Sequence, residues 1–430
     1  MTNSDSADID YCTQKIDSVI ALLDRLLTGD YPHQDSERAL KALRTVYEAE
    51  RADLLAIDPK ADLDTILEFC RGANVKIARL KSVIGLLLRS SNLRNAFEIY
   101  FPVKILATEL LGDTTYVVLS SEWAFSPYTF PAAFPELPDF VFIGIPASEC
   151  HNPLIIPLAA HELGHVVWRR KGAQQKFDPR ILQKILELYR ANWSDFEIIF
   201  KTGANPASLQ TDLFLRRTWG HSYKLACRQL EELFCDFVGA HLFGPSYLQS
   251  FRYLLAPSLG QTRAPHYPSI HKRAEYMVGA MSHHGVTGFS DFAKYFNEDD
   301  LTLTREEEFI LDMADAATAL LQADLLPLVS TYSGSAQCFK DGQRFEDDSR
   351  KCLQNLVPVA SVPSVASIIN AAWQVRNDFE AWPILESIKP AEKRTREMFR
   401  VLCDLVLKSL EVYEFAKRME RVNASGSSVT

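Results

Sequence analysis

Apolar positions recur three and four residues apart along most of this chain. Between residues 8 and 29 they are Ile9, Ile16, Val19, Ile20, Leu23, Leu26 and Leu27, and Gly29 closes the helix they predict. Residues 31–35 read as a turn, and helices are expected over 36–57, 62–90 and 93–111. The period then changes. Residues 114–120 and 139–145 are β-branched and aromatic, the side chains that pack best on a pleated surface, and predict strands. Prolines and aromatics crowd the stretch between them, an irregular loop that either walls a groove or is pinned to the core by its rings. Helical spacing returns at 153–170, 178–200, 222–243 and 269–283. Thr304 with Glu307 forms a capping box that opens a helix ending near 323. Residues 333–350 are polar and predict a loop, 364–381 and 390–420 predict helices, and 423–430 predict a flexible tail. The fold class expected is α+β, mostly α.

Composition changes this picture little. A chain of 430 residues corresponds to two to four domains, at about 100–200 residues each. With 47% hydrophobic and 23% charged residues it is neither disordered, collagen-like nor a coiled-coil rod. A net charge of −9 gives no general attraction for phosphate backbones, so no nucleic-acid partner is expected. No apolar run approaches the roughly 18 residues a bilayer requires, so no membrane spans are expected. The first residues are polar and acidic, unlike a secretory signal. Eight scattered cysteines without a CxxC pair predict reduced thiols rather than a disulfide framework, and a cytoplasmic location.

One motif carries chemistry. Residues 161–165 read His-Glu-Leu-Gly-His within an otherwise apolar helix. Two histidines four apart share a helix face, so His161 and His165 can reach one metal ion, and Glu162 stands beside them to handle a water proton. Such groups are costly inside an apolar helix unless something pairs with them, and Zn2+ would do so. A catalytic zinc takes three protein ligands. The extended pattern with a third histidine fails, because Trp168 stands at its glycine and Lys171 at its histidine. The alternative is a glutamate on a later helix. Glu232 and Asp236 share a face within an apolar stretch: Glu232 can ligate, and Asp236 can accept the free N–H of His161. Glu231 is turned about 100° away, towards solvent or Arg228. His241 and Cys235 compete for the third place. His283 and His284 read as a solvated helix end.

HExxH followed by ExxxD resembles the gluzincin metallopeptidases. The separation from His165 to Glu232 is more similar to the family of the CAAX prenyl protease and the heat-shock membrane metalloprotease than to thermolysin. That family often follows with His-Pro, four residues and Arg. Here Pro268 and Arg273 keep the interval, Tyr267 stands at the histidine position, and His266 is one step earlier. The resemblance covers roughly residues 110–285. It implies a zincin-like catalytic core with a small sheet and an active-site helix over 111–285. Helical regions would flank it at 1–110 and 286–422. It further implies a zinc-dependent peptidase acting on a peptide or protein substrate, with zinc on His161, His165 and Glu232 and with Glu162 as general base. The oxyanion donor would come from Arg273, Tyr267 or His266, with His271 and Tyr223 as further options. Residues 139–145 could pair with extended substrate as a sheet edge. Family members are commonly membrane-embedded, so their substrates do not transfer. Two other readings stay open, a catalytically inactive scaffold and a zinc hydrolase acting on a non-peptide amide.

Overall fold

Three amphipathic helices open the chain: α1 (Asp5–Leu27), α2 (Gln34–Leu55) and α3 (Leu63–Ser90). The computed structural model describes residues 5–58, 61–90, 97–130, 134–256, 267–296, 303–382 and 394–426. The apolar stripes of the three helices meet, burying Ile16, Leu23, Leu40, Leu43, Tyr47, Ile66, Leu80 and Leu87 completely. The same core takes in Val118 and Phe142 from a three-stranded sheet. Its strands are β1 (Tyr116–Glu122), β2 (Tyr128–Thr129) and β3 (Phe140–Pro146), in the order β1-β3-β2. β1 and β3 run parallel with Val117 opposite Val141, and β2 pairs antiparallel with Ile143 and Gly144.

The chain divides into two compact units, and neither boundary is the one expected. The first unit is Met1–Tyr100 with Thr114–His151, and the second is Phe101–Asp113 with Asn152–Thr430. The three-part division at 110 and 285 put the strands with the HExxH helix. They belong instead with the first helices, because their inward side chains complete that apolar core. The expected substrate-pairing edge is also corrected. β3 is the middle strand, with β1 along its length and β2 at Ile143 and Gly144. The aromatic loop is pinned rather than free: Phe130 and Phe134 stand edge-on to Phe142, with centroids 6.2 and 5.9 Å away.

The second unit is helical. It contains α4 (Tyr100–Leu111, apart from its first residue), α5 (Ile156–Arg170), α6 (Ala173–Ala191), α7 (Trp193–Phe200), α8 (Leu213–Phe243), α9 (Pro245–Leu255) and α10 (Ile270–His283). It continues with α11 (Arg305–Leu321), α12 (Leu325–Tyr332), α13 (Phe339–Gly342), α14 (Glu346–Gln354), α15 (Val365–Asn377) and α16 (Arg394–Gly426). The chain is therefore mostly α with one small sheet. The Thr304–Glu307 capping box is present in both directions. The helix expected over 178–200 is two, broken at Asn192. α8 starts earlier than its apolar pattern, where Asp212 caps it by accepting from the Leu215 N–H at 3.0 Å. The loop expected at 333–350 carries α13 and the start of α14. Burial of Phe339 there, and of Leu353 further along α14, overrides a polar composition. α16 runs to Gly426, so part of the expected tail is helical, and 427–430 lie outside the described residues. Among the described residues, no helix is long and apolar enough to cross a membrane. All eight cysteines are free thiols.

Candidate metal centre

α5 begins after a single 3-10 turn at Pro153–Ile155, where the Asn152 side chain accepts from the Leu154 N–H at 3.1 Å. Every residue from Ile156 to Trp168 is buried, so the motif faces the interior of the second unit. Its neighbour is α8, and Gly164 makes the approach possible. A Cβ at that position would lie 2.9 Å from the Cα and 3.1 Å from the Sγ of Cys235. Trp168 packs between Phe177 and Phe234, with centroids at 5.8 and 5.2 Å, and the Lys171 Nζ donates to the Tyr332 carbonyl at 2.7 Å. Both residues that break the three-histidine pattern thus serve packing.

The two imidazoles are held in the same way by different carboxylates. His161 Nδ1 lies 3.0 Å from Asp236 Oδ1, the contact expected from the spacing on α8. His165 Nδ1 lies 2.8 Å from Glu231 Oε1. Each Nδ1 is thereby held by a carboxylate, which turns each Nε2 towards the centre. The two Nε2 atoms converge on Glu232, 3.4 Å from its Oε2 and 3.6 Å from its Oε1. Ligand atoms about 2.1 Å from a tetrahedral zinc stand about 3.4 Å apart, so these are ligand-edge separations. Glu232 Oε1 is buried and accepts no hydrogen bond of proper geometry, although the Arg228 guanidinium lies 2.8 Å away. A buried carboxylate oxygen without a well-formed hydrogen bond is costly, and beside Arg228 it keeps a lone pair for a metal ion. On that test the residues fit a zinc ion.

The acidic side chains are held in turn by bases. Arg273 on α10 clasps Asp236 with two hydrogen bonds of 2.8 Å, Nε to Oδ2 and Nη2 to Oδ1. Tyr247 on α9 donates to the same Oδ1 at 2.7 Å and stands 3.2 Å from His161 Nδ1. Its ring reaches that place because residue 239 is glycine, where a Cβ would sit 2.4 Å from the ring. The α8–α9 turn itself needs Gly244, at φ 57 and ψ −129. Glu231 pairs with Arg228 at 3.1 Å, as its helix position suggests, and with Arg169 at 3.5 Å. Its long side chain also curls back to His165, against the expectation that it turns away.

These contacts set the charges. Burial by itself would raise Glu232, but the His161 hydrogen bond and the charges of His165, His161 and Arg273 outweigh it and hold the carboxyl at about 2. Burial would lower His161, but Asp236 and Glu232 outweigh it and hold the ring at about 10. Burial opposes ionisation of Asp236 as well, and Arg273 overcomes it, keeping that carboxyl far below the usual range. Burial and the surrounding carboxylates push the Cys235 thiol well up.

The structure therefore brings together His161, Glu162, His165, Glu232 and Asp236, all buried, with the half-buried Arg273, in the second unit. Arg273 was expected as an oxyanion donor, and its guanidinium is instead engaged by Asp236. Tyr267 stands at the rim, 36% exposed, with the Arg228 guanidinium 5.5 Å from its ring centre. His266 lies outside the described residues. Tyr223 faces Asp178 and Cys227, and His271 pairs with Glu275 and the Phe296 carbonyl. Of the competing ligands, Cys235 is close: its Sγ and one nitrogen of each imidazole lie within 4.8 Å of one another. His241 belongs to a different cluster. Tyr247 and the Glu231–His165 pair were not foreseen; adjacency to Glu232 was the one signal for Glu231, and Tyr247 carried none. No protein-family model matches this chain, and no curated protein or solved structure matches it.

Proposed function

We propose that this chain is a zinc-dependent metallopeptidase of the gluzincin type, acting on peptide or protein substrates. The observation that carries the reading is the pair of Nε2 atoms, each turned inward by a carboxylate on its Nδ1, facing the two oxygens of Glu232 at 3.4 and 3.6 Å. Glu232 is preferred to Cys235 as the third ligand because its oxygens stand at ligand-edge distances from both rings. Zinc bound there would lower the pKa of a water to about 7 and polarise the scissile carbonyl.

The protein's own groups do the rest. Glu162, adjacent to His161 and buried, takes the proton of the attacking water and passes it to the leaving nitrogen. Asp236 holds the His161 Nδ1 proton and so keeps Nε2 directed at the centre. Arg273 and Tyr247 hold Asp236 ionised and oriented, which makes them positioning residues. Tyr267, at the rim, remains the described candidate for an oxyanion donor.

The test combines metal content with hydrolysis of a broad peptide library. Glu162→Gln should keep the wild-type zinc content while cleavage falls by about 10²–10⁴-fold. A double His161→Ala, His165→Ala variant should lose one zinc and all cleavage. Zinc-loaded wild type that cleaves nothing in the library would overturn the reading and leave a scaffold.

A further inference from the structure

A second group of metal-type donors lies further along α8. His241 is in the last turn of α8, His284 caps the C-terminus of α10, and Cys338 precedes the first residue of α13. One nitrogen of each imidazole and the Cys338 Sγ lie within 4.8 Å of one another. The imidazole centroids are 5.4 Å apart. All three residues are half-buried, and neither imidazole has a hydrogen-bond partner among the described residues. This distinguishes the group from a packed core histidine, whose ring nitrogens must be satisfied.

The scaffold beneath the donors is rigid. Phe339, next to Cys338, packs on the α8–α9 turn so closely that a Cβ on Gly244 would lie 2.6 Å from its ring. At the other end of α13, Ser367 Oγ donates to the Gly342 carbonyl at 3.2 Å, and a Cβ on Gly342 would lie 2.2 Å from that oxygen. The His284 ring stands edge-on to Phe339 at 5.7 Å. The thiol and both rings are therefore placed by packing before any ligand arrives. Asp341 lies near enough to act electrostatically on both His241 and Cys338.

We propose that His241, His284 and Cys338 form a second zinc site, separate from the centre at His161 and His165. Two imidazoles and a thiolate are a borderline-soft donor set that suits a tetrahedral d10 ion. One ligand from each of three elements would staple the ends of α8 and α10 to α13. The site needs no member of the hydrolytic centre and does not depend on the function proposed for it.

The test is metal stoichiometry and the cobalt spectrum of the full-length chain, stripped with a chelator and reloaded with Co2+ or Zn2+. Wild type should bind two ions and show a thiolate-to-cobalt charge-transfer band. Cys338→Ser should bind one ion, lose the band and keep peptide hydrolysis. His284→Asn, at a partly exposed helix end, should also bind one ion, which guards against a fold defect peculiar to the cysteine variant. The His161→Ala, His165→Ala double variant should bind one ion and keep the band, and Cys235→Ser should leave both readings unchanged. A wild type with no thiolate-to-cobalt band, or Cys338→Ser binding as many ions as the wild type and keeping the band, would overturn the proposal.

Discussion

The two units bury charge in opposite ways. In the first, each buried carboxylate closes a small local network. Asp35 accepts from the Tyr100 hydroxyl and the Val117 N–H, both at 2.8 Å, and Glu122 takes the Arg89 Nε at 2.7 Å. Around them is an apolar core of leucine, isoleucine and valine. In the second unit the buried groups share partners. Asp236 serves His161, Tyr247 and Arg273 together, and Glu232 faces both imidazoles and two arginines. Separate satisfied polar contacts stabilise a fold. A shared set of acids and bases with two imidazole nitrogens converging on one carboxylate forms a site, where a cation can take the place of the protons they share.

The sharpest way to break this contrast is Asp236→Ala. It leaves the Arg273 guanidinium buried without its partner, and unfolding titrations should record a loss of about 3–5 kcal/mol. Zinc affinity should fall about 10–100-fold as His161 loses its orienting contact, read by competition with a chelator. Leu43→Ala in the first unit should cost a comparable 2–5 kcal/mol, by transfer and cavity terms. It should leave zinc content and cleavage per folded molecule at wild-type values; a parallel loss of metal would mean that the contrast between the units is false.

Glu346 on α14 sharpens the comparison, being a buried acid of the second unit outside the shared network. Burial pushes it up to about 7, partly offset by the Gln374 Nε2–H bond to its Oε2 at 3.1 Å. It is neutral in both states below its ordinary 4.5. As pH rises the unfolded chain ionises first, so stability falls between 4.5 and about 7 and levels off above. The plateau cost is about 3 kcal/mol, and Glu346→Gln should abolish this dependence in denaturant titrations run from pH 4 to 9. The smallest effect expected is Gly164→Ala. It sets a methyl against the α8 backbone and should cost about 1–3 kcal/mol, with weakened zinc binding from the displaced histidines.

Much of the molecule was legible in the chain. The first three helices and both longer strands lie where their apolar periods placed them, and His161, His165, Glu232 and Asp236 meet as their spacing implied. The failures have a common cause. Arg273 was assigned to an oxyanion because a motif interval says nothing of which carboxylate the guanidinium will meet. Residues 333–350 looked like a loop because their composition is polar, whereas Phe339 is buried against Gly244, far away in the chain.

Sequence alone determined what short-range physics determines. Helix and strand periods follow from local sterics and hydrogen bonding, and residues four apart on a helix share a face whatever surrounds it. Only the tertiary structure decided which faces meet. It attached the strands to the first core, brought Tyr247 and Arg273 onto Asp236, and set His241, His284 and Cys338 within 4.8 Å of one another from three separate elements. Those outcomes depend on how helices pack, on Gly164, Gly239 and Gly244 permitting close approach, and on buried charges finding partners far away in the chain.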